Sequence, residues 1–265
     1  MAKNSKKILI TGNRGYIAKN LALYLSDKGF QTGGFDKKDG VYAETFTIPK
    51  KHDLFAIIHL AAISSIEECE KNIADVVTNN VIASSNIFDQ ATHYRIPVVF
   101  ASSQAAKKPE SSVYGSSKRY AECYADYFND HGGKIRVLRL ANVYGGRNYI
   151  EEKSSVVAKF MRARSNGNHL IVNGTGEQTR DFVHVEDVCQ AIYLSLYNLR
   201  DFEEPVDIGS GCSISVLDLA KMTGCEIEFN YKSSAVGTMK NEVDLSLAKE
   251  LLGYEPHHNI CNYFN

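Results

Sequence analysis

The segment that most constrains the fold lies near the N-terminus, where a short apolar run passes directly into a glycine turn. Lys7-Ile8-Leu9-Ile10-Thr11 has the composition of a buried parallel strand, and Gly12-Asn13-Arg14-Gly15 follows it without a gap. The residue pattern from Lys19 to Lys28 then predicts a helix. Strand, glycine turn and helix in this order are typical of the dinucleotide-binding unit of a parallel sheet.

The residues of this turn are suited to binding a diphosphate. Gly12 permits the tight turn, Gly15 lets the backbone approach the phosphates, and the small Ala18 allows close packing of helix on strand. The spacing is G-x-x-G-x-x-A rather than the more common G-x-G-x-x-G, and the helix N-terminus that follows favours negative charge. We expect cofactor contacts from Gly12, Arg14, Gly15, Tyr16 and Ile17.

A second strand is predicted from Phe30 to Phe35, and Asp36 follows it directly. A carboxylate at this place accepts hydrogen bonds from the ribose hydroxyls, and it therefore favours NAD over NADP. The nearby cations Arg14, Lys37 and Lys38 would favour the phosphorylated cofactor instead. A plain surface turn after the strand is the alternative role for Asp36.

Strands and helices alternate along the first half of the chain, which predicts an α/β fold with a doubly wound parallel (Rossmann) sheet. Shorter elements beyond Asn142 predict a smaller C-terminal substrate-binding lobe. We expect a cofactor domain over residues 1–142, with 178–209 returning to it, and the lobe over 143–177 and 210–265. The predicted strands include Val41–Ile48, Phe55–Ala62, Val98–Ala101 and Ile135–Leu140, and the predicted helices include Asn72–Tyr94 and Val113–Asp130.

Composition excludes several function classes. Lys+Arg 30 against Asp+Glu 31 offers no electrostatic attraction to nucleic acid or to an anionic membrane. The apolar run Ile8–Ile10 is too short for a signal peptide or a membrane span. The six cysteines show neither C-x-x-C nor metal-ligand spacing, so we expect no metal and reduced thiols, with disulfides as the alternative. These features predict a soluble, cytoplasmic protein.

The chemistry is predicted around Tyr114 and Lys118, which stand at i and i+4 and would share one face of a helix. A lysine charge about 4 Å from a phenol contributes about 4 kcal/mol at an effective dielectric of about 20. That is enough to lower a tyrosine pKa from about 10 to about 7, where the phenol can act as a base. Ser103 follows a predicted strand, at the sheet edge where ligands bind. A half-buried tyrosine beside a solvated lysine is the alternative.

Several motifs occur in one order along the whole chain. They are Thr11-Gly12-x-x-Gly15-x-x-Ala18, His59-Leu60-Ala61-Ala62, Asn80-Val81, Phe100-Ala101-Ser102-Ser103, Tyr114-Gly115-x-x-Lys118, Arg139-x-x-Asn142-Val143-Tyr144-Gly145, Gly174-x-Gly176-x-x-Thr179-Arg180-Asp181-Phe182-Val183-His184, Asp207-Ile208-Gly209 and Leu251-Leu252-Gly253-Tyr254-x-Pro256. Together they resemble the extended short-chain dehydrogenase/reductase family, in its UDP-galactose 4-epimerase-like branch of nucleotide-sugar epimerases and dehydratases.

The resemblance implies a role for each matching residue. Tyr114 would be the base, Lys118 its activator and a ribose ligand, and Ser103 a hydrogen-bond partner of the reacting oxygen. Asn142 and Arg180 would hold the substrate, with the Arg180 guanidinium on a diphosphate; an ion pair with a neighbouring acid is the alternative for Arg180. The resemblance also implies NAD as cofactor, a nucleotide sugar as substrate and a homodimer. Further cofactor contacts would come from Leu60, Ala61, Ala62 and Asn80.

Departures from the family pattern reduce the number of reactions that the chain is expected to catalyse. Gln104-Ala105 stand where 4,6-dehydratases carry an Asp-Glu pair, and residues 104–113 form a shorter loop than in relatives. A second diphosphate-binding arginine expected near residue 235 is missing, and Lys232 is a possible substitute. The leading hypothesis is therefore an NAD-dependent 4-epimerase of a UDP-sugar. The alternatives are an NADP-dependent 4-keto-sugar reductase and a dinucleotide-binding protein without catalysis.

Overall fold

The computed structural model describes residues 6–147, 149, 155–167, 169–197, 204–231 and 242–264. Within these ranges no helix combines the length and apolar character needed to traverse a bilayer. The strands are β1 (Lys7–Thr11), β2 (Gln31–Phe35), β3 (Leu54–His59), β4 (Val98–Ser103), β5 (Ile135–Leu140), β6 (Asn142–Tyr144), β7 (Leu170–Asn173), β8 (Thr179–His184), β9 (Val206–Ile208), β10 (Ser213–Ser215) and β11 (Ile227–Asn230). The helices are α1 (Tyr16–Asp27), α2 (Ile66–Lys71), α3 (Ile73–Val76), α4 (Ala83–Tyr94), α5 (Val113–Asp130), α6 (Val156–Ser165), α7 (Val185–Tyr197), α8 (Val216–Met222) and α9 (Ser246–Leu252).

The chain divides into two compact units, and each is made of two separate segments. The first unit comprises residues 1–139 and 189–206, and the second comprises 140–188 and 207–265. The predicted boundaries were residue 142 and a returning segment at 178–209. The units therefore place Asn142 and Arg180 together in the second unit.

The main sheet has the strand order β2-β1-β3-β4-β5-β9, and the pairs of β1 with β2, β1 with β3 and β3 with β4 are parallel. The α/β class and the doubly wound parallel sheet predicted from the sequence are thus confirmed. The register pairs Thr11 with both Phe35 and His59, and His59 with Phe100. Because these strands run parallel and in register, the segments that follow them meet at one edge of the sheet.

Helix α5 has the predicted bounds, and its start is fixed by a side-chain cap. Ser112 Oγ accepts a hydrogen bond from the main-chain nitrogen of Gly115 at 3.0 Å. Gly115 itself lies so close to the preceding turn that a Cβ there would stand 2.7 Å from the main-chain oxygen of Ala105. The buried face of α5 includes two charged residues, Lys118 and Glu122.

The prediction of a strand at Val41–Ile48 is wrong, because side chains of α4 satisfy the backbone of this segment in place of a strand neighbour. Asn86 Nδ2 donates to the main-chain oxygens of Ala43 (2.8 Å) and Phe46 (2.9 Å). Gln90 Oε1 accepts from the main-chain nitrogen of Ile48 at 2.7 Å. With these groups bonded, the segment has no need of a ladder partner.

The predicted helix at Asn72–Tyr94 is present but contains a change of pitch. Asn72 caps α3, and a π-helical segment at Val77–Ile82 joins α3 to α4. Such wide turns frequently occur at functional sites. Here the wide turn contains Asn80, which is buried.

The second unit contains two small sheets, one of three strands in the order β10-β8-β6 and one with β11 parallel to β7. Strands β6 and β8 are parallel, with Asn142 opposite Phe182. A buried carboxylate fixes the C-terminal segment of this unit. Asp187 accepts hydrogen bonds from the main-chain nitrogens of His257 (3.0 Å) and His258 (3.1 Å).

Candidate active site

The glycine turn after β1 leaves space that only glycine can provide. Gly12 has φ +69°, and a Cβ there would lie 2.9 Å from the main-chain nitrogen of Ala61. The N-cap of α1 is Gly15, which has no side chain to bond the first amides, and the first turn carries no acidic residue. These amides therefore face the turn as donors for an anion.

Asp36 lies where the sequence places the ribose contact, at the end of β2. Its carboxylate is buried and accepts hydrogen bonds from the main-chain nitrogens of Arg14 (3.3 Å) and Lys38 (2.9 Å). The side chain of Arg14 forms an ion pair with Asp39. The Asp36 carboxylate therefore joins the glycine turn to the end of β2.

A buried hydrogen-bond chain supports the ends of β1 and β3. Thr11 Oγ1 accepts from the main-chain nitrogen of Ala61 (3.1 Å) and donates to His59 Nδ1 (2.7 Å). His59 Nε2 donates to Ser84 Oγ (2.9 Å), which in turn donates to the main-chain oxygen of Asn80 (2.6 Å). Burial lowers the pKa of His59 to about 3, and the nearby Lys118 charge lowers it further. This histidine is a neutral structural link.

The side chain of Asn80 supports the site through three buried hydrogen bonds. Its Oδ1 accepts from the main-chain nitrogen of Ile63 (2.8 Å), and its Nδ2 donates to the Ile63 oxygen (3.0 Å) and to Ser117 Oγ (2.9 Å). The side chain thus joins the segment after β3 to helix α5. Its assignment as a cofactor contact remains a prediction, while its support of α5 is visible in these bonds.

Ser103 and Tyr114 meet at the carboxyl edge of the sheet. Ser103 ends β4, and its Oγ accepts from the main-chain nitrogen of Ala105 at 3.2 Å. Tyr114 is half-buried in the first turn of α5. Removal of the phenol from water raises the pKa of Tyr114 to about 12, and the nearby Ser103 hydroxyl opposes this rise.

Lys118 is buried beneath this pair. Its Nζ donates to the main-chain oxygen of Ala101 at 2.8 Å and lies 4.8 Å from the centroid of the Phe100 ring. Burial lowers the pKa of Lys118 to about 8, against the opposing charge of Glu122. The expectation that Lys118 by itself brings the pKa of Tyr114 down towards 7 is therefore wrong for the protein alone. Burial of the phenol is the largest influence on its pKa, and the Lys118 ammonium bonds to a strand carbonyl.

The predicted substrate residues Asn142 and Arg180 lie in the second unit, on the neighbouring strands β6 and β8. Asn142 is exposed, and its Nδ2 donates to the main-chain oxygen of Asp181 at 3.1 Å. Arg180 is partly exposed, and its Nη1 donates to the main-chain oxygen of Thr179 at 2.7 Å. Because Asn142 is opposite Phe182, two positions from Arg180 along β8, the two side chains share one face of the sheet. The Asp181 carboxylate accepts instead from the main-chain nitrogens of Ser210 (2.7 Å) and Gly211 (2.8 Å).

The sequence of this chain matches a known protein family. Residues 8–209 match the NAD dependent epimerase/dehydratase family. The chain belongs to this family. The match includes the glycine turn, the Ser103, Tyr114 and Lys118 group, and both residues of the second unit named above. NAD is accordingly the cofactor, and the resemblance inferred from the motifs is confirmed.

Three curated relatives show the range of reactions near this chain. A putative UDP-glucose 4-epimerase of Methanocaldococcus jannaschii is 32% identical over 77% of this chain and 72% of its own length. UDP-glucuronic acid decarboxylase 1 of Xenopus tropicalis is 27% identical over 96% of this chain and 69% of its own. The dTDP-4-dehydro-6-deoxyglucose reductase of Escherichia coli is 27% identical over 94% and 92%.

The similarity to known proteins is also seen in the fold. The UDP-glucose 4-epimerase of Thermotoga maritima, determined with UDP-glucose, superposes with a TM-score of 0.80 and is 26% identical. The match covers 96% of this chain and 95% of that protein.

The residues at the sheet edge fit a dinucleotide. The open amides at the start of α1 and the carboxylate of Asp36 offer the phosphate and ribose contacts that NAD requires. Leu60 and Ala61 follow β3 directly beside the turn, since the main-chain nitrogen of Leu60 donates to the oxygen of Thr11 at 3.3 Å. Ala62 continues this segment.

The sequence did not point to Glu122, which is buried and accepts hydrogen bonds from Ser102 and Arg139 on the neighbouring strands. Glu122 follows Lys118 at i+4, as Lys118 follows Tyr114, so these residues share one helical face. A carboxylate at that spacing on a helix face predicted to be buried is the signal that could have revealed it.

Proposed function

We propose that this chain is an NAD-dependent 4-epimerase of a UDP-linked sugar. The observation that carries the proposal is the Ser103 hydroxyl near the Tyr114 phenol, with the buried Lys118 one turn further along α5 and with Gln104 and Ala105 next after Ser103. This arrangement offers one base and no further acid or base for the sugar carbons. Epimerisation at C4 by transient oxidation needs only one base.

The protein's own residues would handle the proton of the reaction. Tyr114 would take the proton of the C4 hydroxyl as a phenolate, which requires the positive charge of the nicotinamide in addition to that of Lys118 to offset the burial of the phenol. Ser103 would hydrogen-bond to the same oxygen. NAD held by the glycine turn and Asp36 would supply a reversible acceptor for the C4 hydride. The 4-keto sugar then presents its other face, and Tyr114 returns the proton to the alkoxide oxygen. Over the cycle the protein gains and loses no proton.

Arg180 and Asn142 are proposed to hold the substrate. A guanidinium can bind a diphosphate through two parallel hydrogen bonds, and Asn142 offers an amide on the same face. The position of the missing second arginine, near residue 235, and its proposed substitute Lys232 lie outside the described residues. The proposed diphosphate site therefore depends on Arg180 among the residues described.

A 4-keto-sugar reductase is the second candidate, and the E. coli relative favours it because it matches nearly the whole chain. The same Ser103, Tyr114 and Lys118 group could protonate the oxygen of a ketone as it is reduced. Asp36 argues against the NADP-dependent form of this reaction, because a second negative charge would face its buried carboxylate.

The deciding experiment offers the purified protein four substrates and analyses the products. UDP-glucose and UDP-N-acetylglucosamine test for C4 epimers, UDP-glucuronic acid tests for loss of carbon dioxide, and a dTDP-4-keto-6-deoxy sugar with NADH or NADPH tests for cofactor consumption. We expect C4 epimers without net change in NAD. Cofactor consumption with the keto sugar, and no epimer, would establish the reductase.

A homodimer is also proposed. Helix α5 exposes Tyr120, Tyr124 and Tyr127 beside Cys123, which together line an apolar pocket of about 240 Å³. A second copy of α5 and the exposed side of α4 could cover this face. Light scattering of wild type against Tyr120→Lys tests the dimer. The cytoplasmic location stays a prediction from the sequence.

A further inference from the structure

A fully buried carboxylate lies one helical turn beyond Lys118. Glu122 is 0% exposed, and both of its oxygens accept hydrogen bonds. Oε1 accepts from Ser102 Oγ (2.5 Å) and from Arg139 Nε (2.9 Å). Oε2 accepts from Arg139 Nη2 (2.6 Å) and from Arg119 Nη1 (3.1 Å). With two guanidinium partners and a hydroxyl, this carboxylate is not placed to take a proton from a substrate.

The partners of Glu122 lie on the strands that form the site. Ser102 immediately precedes Ser103 on β4, and Arg139 lies on β5. Lys118 bonds to the main-chain oxygen of Ala101, also on β4. Helix α5 is therefore tied to consecutive residues of β4, through a lysine and a glutamate at i and i+4. A shift of α5 along the sheet would break both ties and separate Tyr114 from Ser103.

The charge of Glu122 also acts on Lys118. Burial is the largest influence on the pKa of Lys118, which it lowers to about 8, and the Glu122 charge is the largest influence in the opposite direction. Loss of this charge would leave the ammonium in an apolar environment, above the Phe100 ring, with less to keep its proton.

We propose that Glu122 is a positioning residue with two effects: it holds α5 in register with β4, and its charge keeps Lys118 protonated at the pH of the reaction. The effect on turnover rests on the proposed function. The effect on Lys118 rests only on NAD binding and on the ribose contact that we expect from this lysine.

The charge effect is tested by NADH binding, followed through cofactor fluorescence from pH 6 to pH 10. For wild type, affinity should weaken near pH 8, where Lys118 loses its proton. Glu122→Gln should move this midpoint to lower pH by about half a unit or more. Asp126→Asn is the matched control, because it removes an exposed carboxylate one turn further along α5. Its midpoint should equal that of wild type.

The same titration in the Lys118→Met variant identifies the titrating group. In Lys118→Met the pH-dependent phase should be absent, and adding Glu122→Gln should produce no further shift. If Glu122→Gln instead weakens binding equally at every pH, the residue has only a structural role and the charge effect is refuted. If Glu122→Gln does not fold, as circular dichroism would show, Arg139→Gln is titrated instead, because it leaves the Glu122 charge less neutralised and should move the midpoint to higher pH. An unshifted midpoint there also refutes the charge effect.

The positioning effect is tested by Ser102→Ala, which removes the hydrogen bond between β4 and Glu122 and keeps the Glu122 charge. Turnover should fall about tenfold, as expected from a small misplacement of reacting groups, while KM and the NADH midpoint stay unchanged. Unchanged turnover would refute the positioning effect. If wild type converts no sugar of the panel but the NADH titrations behave as expected, the proposed function fails and the charge effect stands.

Discussion

The two units of the chain present their candidate functional groups in contrasting surroundings. In the first unit, Lys118 and Glu122 are buried and bonded to neighbouring strands, and Tyr114 lies near Ser103. In the second unit, Asn142 is exposed and Arg180 partly so, and each donates to a main-chain oxygen of its own small sheet. Bond-making chemistry requires fixed distances, whereas a charged ligand can be held by groups that stay partly hydrated. The contrast suggests that the first unit performs the reaction and the second binds.

The largest effect should come from Tyr114→Phe. Loss of a general base commonly reduces the rate by about 10²–10⁴-fold, so we expect turnover to fall in this range with NAD affinity unchanged. Steady-state kinetics and calorimetry measure the two quantities. Tyr120→Phe, an exposed tyrosine on the same helix, serves as control. Activity within a few-fold of wild type would place the base elsewhere and remove the chemistry from the first unit.

Arg180→Met tests the other half of the comparison. Hydrogen bonds to charged groups contribute about 1.5–3 kcal/mol, so KM for the UDP-sugar should rise by about tenfold to a hundredfold with turnover within a few-fold of wild type. Arg180→Lys should lie between the two, because it keeps the charge and loses the paired geometry. A large loss of turnover at saturating substrate would show that the second unit also acts on the transition state.

A pH effect on stability is expected for the first unit. The pKa of His59 is lowered to about 3 in the fold from an ordinary value of about 6.5, so the unfolded chain takes up this proton first. The stabilising contribution is complete above about pH 6.5 and is lost as the pH falls from there towards about 3, by at most about 1.4 kcal/mol per unit.

Urea unfolding between pH 4 and pH 8 measures this loss. In His59→Asn the slope of unfolding free energy against pH should decrease by about one proton, although the variant is less stable at neutral pH. His93→Gln, at an exposed position, should keep the wild-type slope. Equal slopes in all three proteins would rule out His59 as the linked group.

The smallest effect is expected at Asp36. Asp36→Asn keeps an acceptor oxygen near Arg14 and Lys38 but removes the charge that disfavours a 2′-phosphate. The ratio of NAD to NADP affinity, from parallel titrations, should fall by about three- to tenfold, equivalent to about 0.7–1.4 kcal/mol. A ratio unaffected by the substitution would assign cofactor choice to other residues.

Local pattern was sufficient where a single segment determines its own structure. The strand and glycine turn at Lys7–Gly15 and the helix at Val113–Asp130 follow from apolar spacing and small residues. It failed at Val41–Ile48, where the backbone partners Asn86 and Gln90 come from a distant helix. The hydrogen-bond partner of Lys118 could not be predicted either. The sequence does not show that the main-chain oxygen of Ala101, on a neighbouring strand, lies within hydrogen-bond distance of the ammonium.

The division of each unit into two segments also has a consequence for synthesis on the ribosome. Residues 189–206 complete the first unit, and their Tyr193 and Tyr197 pack against Phe30, with ring centroids 6.3 and 6.0 Å away. At about 5–20 residues per second, the nascent chain waits several seconds after residue 139 emerges before these aromatic rings can be covered. During that interval Phe30 and its neighbours are exposed, and holding chaperones have their opportunity to bind. In a fragment that stops at residue 139, Phe30 and its neighbours would remain exposed. Expression of the isolated N-terminal segment should therefore yield aggregate.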